Sequence, residues 1–122
     1  MRITRSVVVL DAANLAEVSS FWARLLGGTV EADDDWHTVS SEQGPRIAVQ
    51  LAPEHVPPEW PDGLPQQVHL DLYVDDPDAA HDEAVAAGAR VLQTADTSTE
   101  QGFQVYADPA GHPFCLCWAR GS

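Results

Sequence analysis

Residues 68–88 read VHLDLYVDDPDAAHDEAVAAG. From Val68 to Val74 apolar and polar residues alternate, the period-two pattern of a strand with one buried face. Asp76-Pro77 then supplies a helix cap and a first helical residue whose missing N–H costs nothing at that position, and Gly88 closes the helix. The same order occurs earlier in the chain. Ile3 to Leu10 is dense in β-branched residues, Asn14 opens a helix with Glu17 as its capping-box partner, and Gly27-Gly28 ends it. The distance from cap to closing glycine is thirteen residues in the first case and twelve in the second.

Three short strands follow each helix. They are predicted over Thr29–Ala32, Trp36–Ser40 and Arg46–Ala52 in the first half, and over Arg90–Thr94, Phe103–Ala107 and Pro113–Trp118 in the second. Each half therefore reads strand–helix–strand–strand–strand, an internal repeat. The halves, residues 1–52 and 67–122, are joined by a connector over residues 53–66, PEHVPPEWPDGLPQ, which holds five of the nine prolines and suits neither a helix nor an inner strand. At 122 residues the chain is expected to be one domain. The expected fold class is α+β: paired βαβββ modules forming a curved mixed sheet, with helices on its outer face and a cleft on its inner one.

Strand alternation sorts the side chains. Leu70, Leu72 and Val74 suit the helix-covered face, which leaves His69, Asp71 and Tyr73 facing the cleft. In FCLCW, Phe114, Leu116 and Trp118 suit the core, and Cys115 and Cys117 share the opposite face. Alternate strand positions are roughly 7 Å apart, too far for a comfortable disulfide between these two cysteines. They are read as free thiols in a reducing compartment, and the protein as cytoplasmic.

Six basic against nineteen acidic residues give a net charge of −13. Such a chain repels phosphate backbones and anionic lipid, which argues against nucleic acid and membrane partners. All the basic residues are arginines; with no lysine, a side-chain Schiff base and a Walker phosphate loop are both excluded.

The segments LDAANLAEVSSFWARLLG, HLDLYVDD, AVAAGARV and ADPAGHPFCLC resemble the vicinal oxygen chelate superfamily, specifically its glyoxalase-like, bleomycin-resistance-like branch. The resemblance implies the paired βαβββ fold. Metal-dependent members hold a divalent ion through His and Glu on the first and fourth strands of each module. Carried over by position, those sites are Val7 and His69 on the first strands and Gln50 and Cys115 on the fourth. Valine cannot ligate, neutral glutamine offers a weak carbonyl, and a thiolate is soft, so no catalytic residue or metal is assigned; a divalent metal, if held, would fall to His69, Gln50 and Cys115.

The function expected is that of a metal-independent binder of a small organic ligand, apolar or aromatic and favoured when cationic, of the resistance or sequestration type. Gln50, His69, Asp71, Tyr73 and Cys115 are expected to line the cleft, with Trp36 or Trp60 stacking on the ligand. The alternative is a lyase, isomerase or dioxygenase of the same superfamily, with an atypical metal site or acid–base chemistry at His69. Trp22 and Trp118 are assigned to the core, and Trp36 and His37 to opposite faces of one strand. His55, His81 and His112 are expected to be solvated, the last serving its turn. A homodimer is implied by the family.

Overall fold

The computed structural model describes residues 2, 7–42, 44–63 and 69–120. The chain divides into two compact units, residues 1–56 and 57–122. Within each unit the strands pair into one four-stranded mixed sheet.

The first unit comprises β1 (Val8–Ala12), α1 (Leu15–Leu26), β2 (Thr29–Ala32), β3 (Trp36–Ser40) and β4 (Ile47–Leu51). The predicted strand from Ile3 falls partly outside the described residues; its described part begins at Val8. Sheet order is β1-β4-β3-β2, with β1 parallel to β4 and the other neighbours antiparallel. The parallel pair is possible because α1 carries the chain away from β1, a crossover that a tight hairpin could not make. Asn14 caps α1 in extended conformation, its side-chain oxygen accepting the Glu17 N–H at 3.1 Å. Gly27 ends the helix at φ 66°, in the left-handed region that glycine enters without strain. Leu15, Val18, Ser19 and Trp22 are buried at helical spacing. His37 Nδ1 lies 2.8 Å from Ser19 Oγ and so points at α1. Trp36, its neighbour, therefore stands on the uncovered face, in register with Gln50, which is in turn paired with Asp11.

The second unit comprises β5 (Leu70–Tyr73), α2 (Pro77–Ala87), β6 (Arg90–Gln93), β7 (Gln101–Ala107) and β8 (Pro113–Ala119). Its sheet order, β5-β8-β7-β6 with β5 parallel to β8, repeats that of the first unit. Asp76 caps α2 by accepting the Ala79 N–H at 3.1 Å, Pro77 follows at the first helical turn, and Gly88 closes it at φ 119°. Tyr106, Phe114, Leu116 and Trp118 are buried on the helix-facing side, with the Tyr106 and Phe114 rings stacked at 5.5 Å.

Two histidines are not solvated as expected. The helix α2 is rich in alanine and brings little apolar bulk to the sheet, so a polar contact reaches in beside it. His81 Nδ1 lies 2.7 Å from the Tyr106 hydroxyl, which also accepts the Gln104 side-chain N–H at 2.9 Å. His112 donates through Nδ1 to the buried Asp108 carboxylate at 2.7 Å, and the same carboxylate accepts the backbone N–H groups of Ala110 and His112. The DPAG turn is held by this Asp108 cage, and Gly111, at φ 90°, packs against Pro57, where a Cβ would stand 2.5 Å from the proline side chain. His55 is half-buried.

Replacing Tyr106 by Phe leaves both His81 and Gln104 short of a partner. The substitution is expected to lower unfolding free energy by about 1–3 kcal/mol, read as a shift in urea midpoint at unchanged slope. An unchanged midpoint would show that the network contributes nothing to stability.

Candidate functional site

The face of the second sheet turned away from α2 is set by its register. Asp71 pairs with Cys115 and Cys115 with Val105; Tyr73 pairs with Cys117 and Cys117 with Phe103. These residues lie side by side across three adjacent strands, because directly paired residues share a face. Together with Trp60 and Pro113 they bound a pocket of about 580 Å³. Trp60, Phe103, Val105 and Pro113 form its apolar walls. His69, Asp71 and Cys115 form a polar end, their donor atoms all within 4.8 Å of one another.

His69 Nε2 and Asp71 Oδ1 are 3.2 Å apart, with the side chains 43% and 48% exposed. Alternate residues on a strand do not face each other directly. Here His69 lies just before the ladder of β5 begins, and the reach of the imidazole closes the gap.

Both thiols are held protonated. Burial, then the Asp71 charge, then neighbouring Cys117, push the Cys115 thiol up to about 11; burial and Asp71 also raise Cys117. Neither cysteine is bonded to another. An activated thiolate nucleophile needs the opposite environment, a nearby cation or helix N-terminus.

Five of the seven expected ligand contacts, Trp60, His69, Asp71, Tyr73 and Cys115, line this one pocket. Gln50 and Trp36 stand together on the first unit, paired across β3 and β4. Counting from the helix caps, Gln50 and Cys115 are not equivalent positions. Gln50 pairs with Asp11, three residues before the cap Asn14, whereas the residue three before Asp76 is Tyr73, which pairs with Cys117. The sequence reading did not place Phe103, Val105 and Pro113 in the site. Alternation along β7 could have sorted Phe103 and Val105 onto one face, but only the β7–β8 register shows that this face is shared with the cysteines.

Alkylation of Cys115 by iodoacetamide, followed in the Cys117→Ser variant, is expected to be slow at pH 8, where only about a thousandth of the thiol is ionised. The rate should climb toward a midpoint near pH 11. Asp71→Asn removes one of the charges opposing the thiolate, so it should move the midpoint down. A midpoint at the ordinary cysteine value would contradict this account of the site.

Comparisons with known proteins agree with this architecture. The glyoxalase-like domain family matches residues 7–117. No curated protein matches the sequence significantly. A glyoxalase/bleomycin resistance protein/dioxygenase family enzyme from Burkholderia phytofirmans PsJN aligns with a TM-score of 0.71 at 17% identity, covering 93% of this chain and 97% of that one. A genomically encoded fosfomycin resistance protein from Listeria monocytogenes aligns with a TM-score of 0.72 at 13% identity, covering 99% and 97%. A glyoxalase-related enzyme from Fulvimarina pelagi gives 0.69 at 19% identity, covering 95% and 88%. At these identities the structures share the fold, and the matched family extends over nearly the whole sequence; the chain belongs to the glyoxalase-like domain family of the vicinal oxygen chelate superfamily.

Proposed function

We propose that this protein binds a small organic molecule in the pocket of its second unit, with an apolar or aromatic body against Trp60 and Phe103 and a cationic or hydrogen-bond-donating group toward Asp71. One observation carries the reading: exposed aromatic surface and a carboxylate–imidazole pair converge on the same pocket. Phe103 leaves 48% of its surface exposed on a central strand, apolar area that an occupant would remove from water. The pocket's volume of about 580 Å³ suits a drug-sized ligand. The net charge of −13 favours a positively charged guest at long range.

In this reading the walls supply the affinity and no metal is required. A role in sequestering or resisting a toxic compound is supported by the shared fold with the fosfomycin resistance protein and with glyoxalase/bleomycin resistance proteins. The free thiols support a reducing, cytoplasmic setting. A homodimer, the habit of the superfamily, would sediment at twice the 13.2 kDa chain mass.

The His69–Asp71 contact favours a second reading. An imidazole oriented by a carboxylate can move a proton, so a lyase or isomerase acting without metal would use His69 as its base and Asp71 to orient it. Turnover lost in both His69→Gln and Asp71→Asn, with ligand affinity kept, would select this reading over simple binding.

The test of binding is titration of tryptophan fluorescence with planar aromatic cations and their neutral isosteres, in the presence of chelator. Saturable quenching is expected. Phe103→Ala should weaken it at least tenfold, a loss of about 1.4 kcal/mol or more. Asp71→Asn should weaken the cations selectively. Equal affinity of wild type and Phe103→Ala across the panel would overturn the proposed pocket.

A further inference from the structure

Neither simple binding nor proton transfer at His69 gives the two thiols of the pocket a task. Cys115 and Cys117 alternate on β8, both are free, and both line the cavity together with Trp60 and Phe103. Alternate positions of a strand stand about 6.6–7 Å apart, at the outer limit of about 6.8 Å that a disulfide spans. The pair is too open for a comfortable sulfur–sulfur bond, whereas one atom bonded to both sulfurs lengthens the bridge enough to close it. Such an atom must prefer sulfur to oxygen and carry two groups that the thiols can displace. We propose that Cys115 and Cys117 form a dithiol trap for a trivalent organoarsenical, R–As(OH)2, whose substituent R lies against the apolar walls of the pocket. The inference rests on the pocket being a ligand site and adds the class of ligand that its thiols hold.

Charge selects among sulfur-seeking ligands. Burial, the Asp71 carboxylate and the neighbouring Cys117 push the Cys115 thiol up to about 11, and burial and Asp71 raise Cys117 as well. Alkylating agents and metal cations require the thiolate and meet that cost in full. A trivalent arsenic hydroxide does not, because its overall reaction consumes the thiols with their protons. Two As–S bonds form and two As–O bonds break. Each departing hydroxyl takes the proton of one thiol and leaves as water. Arsenic stays trivalent, no electron is transferred, and no proton is released. The product is neutral, so it sets no new charge beside Asp71.

Register places the substituent. Cys115 pairs with Val105 and Cys117 with Phe103, so an atom bridging the two sulfurs sits over β8 between these rows. Val105 and Phe103 then flank it on the β7 side, and the third bond of arsenic carries R into the cavity. Phe103 is 48% exposed and offers R apolar surface to cover. Inorganic arsenite has a hydroxyl in place of R and gains nothing from these walls.

The test uses the reduced full chain and phenylarsine oxide, whose hydrate is the phenyl form of R–As(OH)2, followed by native mass spectrometry. One adduct per chain is expected, at the mass of one phenylarsenic unit less two hydrogens, and an excess of a small dithiol should remove it. Cys115→Ser and Cys117→Ser should each weaken retention by at least about a hundredfold, because the second As–S bond closes within the complex at high effective concentration. Arsenite should bind wild type at least about tenfold more weakly than phenylarsine oxide, and Phe103→Ala should narrow that gap. Near-ultraviolet circular dichroism checks that each variant is folded. Absence of the adduct in folded wild type, full retention in either single-cysteine variant, or equal affinity for arsenite and phenylarsine oxide would overturn the proposal. Quenching by planar cations involves no bond to sulfur. Its absence beside a retained adduct that needs both cysteines would sink the reading of the pocket as a cation binder alone, and its presence without the adduct would sink the trap alone.

Discussion

Strand β8 is hydrogen-bonded along both edges, to β5 on one side and β7 on the other. A strand held in this way can send its side chains only to the two faces of the sheet, and one face is committed to the core. Phe114, Leu116 and Trp118 occupy that face, each at most 2% exposed. Cys115 and Cys117 have no other direction than the side turned away from α2. Moving β8 by one residue would bury both thiols under α2 and expose three large apolar side chains, so the packing of the core fixes the position of the site. The Asp108 cage sets where β8 begins, and with it which residue faces Asp71.

Much of this was legible in the sequence because it depends on local signals. The caps Asn14 and Asp76, the closing glycines, and the alternation in VHLDLYV and FCLCW each act within a few residues. They yielded the repeat, the strands of the described residues to within about two residues at most ends, and the grouping of His69, Asp71 and Tyr73 on one face. What was not legible depends on pairing between distant segments. Phe103 and Val105 become pocket walls only through their register with Cys117 and Cys115. The contact between His81 and Tyr106 joins residues 25 apart. The mismatch between Gln50 and Cys115 also emerges only from the ladders, since spacing from a turn and spacing from a helix cap count along different paths. Trp60 reaches the pocket from a proline-rich segment whose sequence gives no periodicity to follow.

The chemistry of the site follows from a shortage of positive charge. Among the described residues no arginine lines the polar end to draw the thiols toward ionisation, and the Asp71 carboxylate opposes it. The cysteines are therefore quiet at neutral pH, and an arriving cation, organic or metallic, would meet a carboxylate, an imidazole and a neutral thiol.

The pocket is proposed to hold its ligand on the face of β5, β8 and β7 turned away from α2. The most direct measurement is the backbone amide spectrum of isotopically labelled protein during titration with a planar aromatic cation. Shifts concentrated on residues 69–73, 101–105 and 113–119, saturating together, are the predicted result. Shifts confined to α2, or to residues of the first unit alone, would contradict the account.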